Sequence, residues 1–175
     1  MQPDLIKCLK DLSRSEPAEQ AKSLPSFAYQ SSEMDVIDRS VVLQPSWQLA
    51  AHLSQLQKPG DHVVHQLADQ PILVVNTGDG IQGFYNVCRH RAGPLALKNG
   101  HAKTLMCKYH GWNYHLDGRL KSAPEMQTTQ GFDVSQYRLP KIKTEIWQGL
   151  VFVALNDNVP SMSALTAGIT EQLLP

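Results

Sequence analysis

Apolar residues change their spacing along this chain, and each change predicts a different element. Leu5, Ile6, Leu9 and Leu12 recur at about 3.6 residues and predict a short helix in residues 1–23, with a polar stretch from Ser13 to Ser23. Trp47, Leu49, Leu53 and Leu56 predict an arm or a short helix ended by Lys58-Pro59-Gly60. Beyond that point the period shortens. His62 to Leu67 alternates, Pro71 to Asn76 is a continuous apolar run, and Gly78-Asp79-Gly80 is a hairpin turn into Ile81–Val87. Leu105–Met106 and Trp112–Leu116 predict short strands, the second running into an Asp117-Gly118 turn. Lys121 to Ser135 reads as loop, and Ile142–Ile146 and Leu150–Leu155 are the last two strands, with Gly149 between them. Ser161 to Leu174 has the stripe of a helix, with Ser163 as cap and Leu165, Ile169 and Leu173 as its apolar face. Short strands at regular intervals predict a mainly β, antiparallel sandwich with a partly helical N-terminal arm.

Composition narrows the class. The chain has 175 residues, 42% of them hydrophobic, enough for one domain with arms. Lys plus Arg equal Asp plus Glu at 16 each, so no overall field points to nucleic acid. No apolar run approaches a membrane span, and no signal-peptide core opens the chain, so a cytoplasmic protein without a membrane or nucleic acid partner is expected.

The chemistry lies in two short strings, Cys88-Arg-His90 and Cys107-Lys-Tyr-His110, with sixteen residues between them. Two half-sites of one cysteine and one histidine are what a [2Fe–2S] centre needs when cysteines hold one iron and histidines the other. Two ferric ions, two sulfides and two thiolates sum to no net charge when both imidazoles are neutral. Adding an electron to such a cluster costs less than adding one to an all-cysteine dianion, which puts the potential between about −150 and +300 mV. A Cys₂His₂ zinc site uses the same ligand types, but zinc fingers keep like ligands together. Zinc, and unligated core residues, stay open as alternatives. Cys8 is then a spare, most simply a free thiol.

With the fuller strings Cys88-Arg-His90-Arg91 and Cys107-Lys-Tyr-His110-Gly111-Trp112, the chain resembles the N-terminal part of Rieske non-haem iron oxygenase α subunits. Leu24-Pro25, Tyr29, Trp47, Pro59-Gly60 and Asn86-Val87-Cys88 are similar to that family's lead-in. The resemblance implies a Rieske-type antiparallel sandwich with two cluster-binding loops, both at hairpin ends. It assigns Cys88 and Cys107 to one iron, His90 and His110 to the other, with His110 on the solvent side. It divides the chain into an N-terminal arm (1–58), a Rieske domain (59–157) and the start of a linker helix (158–175). Neither loop has the second cysteine of the respiratory branch, and Trp112 stands where that branch has a serine donor, so a potential toward the low end is implied.

The resemblance also implies what these residues lack. Family members carry a further α+β domain with a mononuclear iron on two histidines and a carboxylate, which activates O₂. No catalytic residue is assigned in this chain. His110 and His115 have the spacing of that second site, but Cys107 stands where Asp or Asn is wanted. The implied partners are a reductase or ferredoxin donor and a catalytic domain or neighbouring subunit, in an oligomer for the full-length protein. The lead-in and Cys-Arg-His-Arg-Ala-Gly-Pro-Leu lean toward the branch that oxidises choline, carnitine and glycine betaine; a stand-alone Rieske ferredoxin is the alternative. His52, His62, His65, His101 and His115 are expected to be surface or half-buried side chains, and Trp112 and Trp147 core. Trp112 should also shield the cluster. Arg89 and Arg91 either meet carboxylates on a partner or stay solvated. Gly93-Pro94 and Gly111 should set loops whose backbone N–H groups point at sulfide.

Overall fold

The computed structural model describes residues 23–173 together with 10, 17 and 19–21. Cys8 and the predicted stripe Leu5, Ile6, Leu9 and Leu12 lie outside the described residues. The chain divides into two compact units, Met1–Val42 and Leu43–Pro175. In the first, α1 (Phe27–Gln30) is followed by α2 (Ser32–Ile37) and a π-helical turn at Asp38–Leu43. Ser31 caps α2 by accepting from the Glu33 and Met34 N–H groups at 3.2 and 3.3 Å.

The second unit is built on ten strands: β1 (Gln48–His52), β2 (Asp61–Leu67), β3 (Gln70–Asn76), β4 (Ile81–Tyr85), β5 (Gly100–His101), β6 (Leu105–Met106), β7 (Asn113–Tyr114), β8 (Leu120–Ser122), β9 (Lys141–Trp147) and β10 (Leu150–Ala154). Seven form one antiparallel sheet in the order β1-β10-β9-β4-β3-β2-β5, and β6-β7-β8 form a small second sheet. Two-residue turns with positive φ at both positions, Ala68-Asp69 and Gln148-Gly149, close the β2–β3 and β9–β10 hairpins. Their backbone twist matches that of the strands they join. The predicted mainly β, antiparallel architecture is the one observed.

The continuous apolar run of β3 has a two-sided explanation. Leu73 and Val75 point into a core with Phe84, Tyr114, Leu139 and both loop cysteines, while Ile72 and Val74 point into another with Val63, Val151 and Val153. The first core lies under the candidate site. Gly118 (φ +86°) holds the β7–β8 turn against that core, because a Cβ there would stand 2.6 Å from Phe84 Cε1. Leu139 N–H also donates to the Gly118 carbonyl at 2.8 Å.

Three local expectations are corrected. Trp47–Leu56 contains an edge strand rather than a helix: β1 pairs with β10, with a bulge between Leu49 and Ala51, and a 3-10 turn at Leu53–Gln55 follows. Its helical spacing of leucines is overridden by pairing with a strand about a hundred residues away. The C-terminal helix α3 (Met162–Leu173) is capped by Ser161 and not Ser163, since Ser161 Oγ accepts from Ala164 N–H at 3.2 Å. Trp147 is half-buried rather than core, and its Nε1–H donates to Thr170 of α3 at 2.9 Å.

Candidate metal centre

Two loops carry the four candidate ligands. The first leaves β4 and runs on toward β5, a strand that pairs with β2, so it is not at a hairpin end as predicted. The second is the tip of the β6–β7 hairpin. Their backbones are wired alike. The N–H of each cysteine donates to the carbonyl five residues on, Cys88 to Gly93 and Cys107 to Trp112, both at 2.9 Å. Each cysteine's carbonyl accepts from the N–H four residues on, Ala92 and Gly111, both at 3.0 Å. Ala92 (φ +56°) and Gly111 (φ +73°) both take the left-handed conformation that this closure requires. The Gly111 N–H is therefore spent inside its own loop. Gly93 lets the loops touch: a Cβ there would stand 3.0 Å from Cys107 Sγ and 3.3 Å from Tyr109 Cβ.

The side chains meet as two pairs. Cys88 and Cys107 are free, buried thiols, close enough to interact. The His90 and His110 rings lie 4.7 Å apart, edge to face at 69°. The sulfurs are in the core, His90 is half-buried and His110 is exposed. Trp112, 3% exposed, stacks on His90 at 4.9 Å and 7°, covering one face of that ring. Phe132 and Tyr137 close around Trp112 in turn, each at 5.6 Å. Tyr109 lies over His110 at 3.9 Å.

Tyr114 is the residue the sequence reading missed. Its hydroxyl accepts from Arg89 N–H at 3.0 Å, which leaves its own proton to donate to Cys88 Sγ at 3.3 Å. Its inward direction could have been inferred, since residues two apart on an extended segment such as Trp112 and Tyr114 face the same side, but its partner could not. Burial pushes the Cys88 thiol above its ordinary range, and the neighbouring Cys107 adds to this; the Tyr114 hydroxyl and His90 N–H act the other way. Burial likewise raises the Tyr114 hydroxyl. His90 is held below the usual histidine range by burial first, then by His110 and Arg91.

These features fit a [2Fe–2S] group. Two donors directed at one sulfur suit a thiolate, and metal coordination is what makes a buried thiol ionise. The indole Nε1 of Trp112 is buried without a protein acceptor, an orphaned donor beside the paired rings. Among the described residues, no group of three or more His, Cys, Asp or Glu side chains is arranged to hold one metal ion. Two sulfurs and two imidazoles, paired like with like, match a binuclear group. The other histidines lie apart from this site. His62 is buried rather than surface, bonded through Nδ1 to the Gly60 carbonyl at 3.1 Å; His101 pairs with Asp61 at 2.9 Å; His52 and His115 are exposed and His65 half-buried. No described helix is long and apolar enough to cross a membrane.

Comparison with known proteins agrees with this geometry. Residues 46–138 match the Rieske [2Fe-2S] domain model. The oxygenase subunit of carnitine monooxygenase from Acinetobacter baumannii is 29% identical over 155 residues, 87% of this chain and 42% of that protein. The oxygenase subunit of glycine betaine monooxygenase from Pseudomonas aeruginosa is 30% identical, over 87% of this chain and 36% of its own length. The chain thus spans about two fifths of the length of these relatives. A solved quaternary ammonium Rieske monooxygenase, described in terms of carnitine oxidation by gut microbiota and inter-subunit electron transfer, superposes with a TM-score of 0.80 at 29% identity, over 87% of this chain and 42% of that one. The chain belongs to the Rieske [2Fe-2S] domain family, and it is similar to the Rieske part of oxygenase subunits.

Proposed function

We propose that Cys88 and Cys107 hold one iron of a [2Fe–2S] cluster, that His90 and His110 hold the other, and that the chain serves as the electron-transfer domain of a Rieske oxygenase. When bound, the cluster supplies one-electron redox chemistry. The protein's share is to bury the two thiolates, to donate a hydrogen bond from Tyr114 to Cys88, to cover His90 with Trp112 and to leave His110 open. The single observation that carries the reading is the sorting of the ligands, buried thiols on one side and touching imidazoles on the other.

The domain division follows the sequence reading, with residues 59–157 as the Rieske domain between an arm and a linker helix. The electrons go from a reductase or ferredoxin to a mononuclear iron outside these 175 residues, on a catalytic domain of the same or a neighbouring subunit of an oligomer. The relatives' names support a quaternary ammonium compound as substrate of the whole enzyme. A cytoplasmic location follows the sequence reading, and neither described cysteine is in a disulfide.

The test is composition. Protein purified without oxygen should be red-brown, with about two irons and two acid-labile sulfides per chain. Cys88→Ser and Cys107→Ser should each abolish the colour. Stoichiometric zinc without sulfide would overturn the assignment.

A further inference from the structure

The chain has three tryptophans, and the indole N–H groups of two are spent within the protein. Trp47 donates to the Pro160 carbonyl at 2.7 Å and Trp147 to the Thr170 hydroxyl at 2.9 Å. Both rings are half-buried. Trp112 is the buried one, 3% exposed, and its Nε1–H has no hydrogen-bond partner among the protein's own groups. Buried donors are almost always paired, because an unmade bond forfeits what the group had in water. The neighbours of the ring limit where this donor can go. The indole plane lies parallel to the His90 imidazole within 7°, so an N–H in that plane cannot point into the face of His90. Phe132 and Tyr137 meet the indole edge to face at 5.6 Å, and a ring face is a weak acceptor. Tyr114, two residues on, enters the same core and sends its hydroxyl proton to Cys88 Sγ at 3.3 Å. This side of the segment therefore already turns one donor toward the ligand set.

We infer that Trp112 tunes the proposed cluster, its indole N–H donating to a sulfur of that group. The inference rests on the ligand assignment above. The two parts of the side chain have separate tasks: the face of the indole holds the His90 ring by contact, and its edge supplies the hydrogen bond. A donor fixed in a buried site acts more strongly than one in water, and it favours the state that carries the extra electron. No bond is made or broken and no proton is transferred; the effect lies on the equilibrium between oxidised and reduced protein. It also gives a reason for an indole here. Phenylalanine would fill a buried position beside His90 without leaving an orphaned donor, whereas a buried tryptophan calls for an acceptor.

The test removes the donor and keeps the ring. Benzothienylalanine in place of Trp112 puts sulfur where the indole has its N–H, so shape and stacking are retained. Trp112→Phe removes the donor and part of the stack. The holoproteins are compared with wild type by anaerobic redox titration. The benzothienyl protein, with its iron content and visible spectrum unchanged, should have a reduction equilibrium about threefold less favourable, roughly 30 mV lower at about 59 mV per tenfold for one electron. Trp112→Phe should shift in the same direction. Resonance Raman spectroscopy supplies a readout independent of potential. The Fe–S stretching bands should move in the benzothienyl protein, because a hydrogen bond to sulfur alters the bond from that sulfur to iron. Wild-type potential and wild-type bands in the benzothienyl protein overturn the inference. A shift confined to Trp112→Phe also overturns it, since the stack and not the N–H would then be the cause. Failure of the ligand assignment shows separately, as wild-type protein without iron and sulfide.

Discussion

The hydroxyl of Tyr114 makes a one-atom experiment possible. In the proposed site it donates to Cys88 Sγ, and a sulfur that ligates a cluster accepts more strongly when that cluster carries the extra electron. Tyr114→Phe keeps the ring in the core and removes that preference. A hydrogen bond worth about 1 kcal/mol more to the reduced state corresponds to roughly 40 mV for a one-electron couple, so the midpoint potential should fall by about that much. Film voltammetry of the two proteins checks it, and an unchanged or raised potential would show that the proton points elsewhere. Gly93 marks a second single-atom constraint: a methyl there would press on Cys107 Sγ. The four candidate ligands were legible in sequence because each half-site is local, carried by residues two or three apart. Tyr114 was not, because its partner lies 26 positions away and only the packed loops bring them together.

At the scale of elements, the joint between β2 and β5 depends on one carboxylate. Asp61 accepts from Lys58 N–H at 2.8 Å and pairs with His101 at 2.9 Å, tying the turn before β2 to β5. The Lys58 N–H first, and His101 next, hold this carboxyl below the usual carboxylate range. A carboxyl depressed by folding contributes stability above its unfolded pKa, and that contribution is lost as pH falls through the folded value. Asp61→Asn should therefore melt slightly lower than wild type at pH 7, and the gap should close as pH drops below about 4. Paired melting curves across that window check it; a gap that persists in acid would assign the effect to packing. Among the elements, the β3–β4 hairpin could be read because its Gly78-Asp79-Gly80 turn lies between the two strands in sequence. The β1–β10 pair could not, because nothing near Gln48 records a partner at Val153.

For the whole molecule, β3 separates stability from function. Its neighbouring residues Ile72 and Leu73 are both fully buried, one in each core. Truncating either to Ala should cost about 2–5 kcal/mol of stability. Only Leu73→Ala opens the core that contains Cys88 and Cys107, so it alone should speed iron loss to a mild chelator below its melting temperature. Equal rates of loss from the two variants would mean that global unfolding governs release. This two-sided burial was foreshadowed by the unbroken Pro71–Asn76 run, although a run alone does not say which residue faces the site.

The matched wiring of the two loops bears on what a bound cluster would have to order. Each cysteine is fixed by a ring of backbone hydrogen bonds closed within its own loop. A loop ordered by its own backbone gives up less conformational freedom when its side chains take hold of a ligand. What the cluster would add is then mainly the joining of one loop to the other.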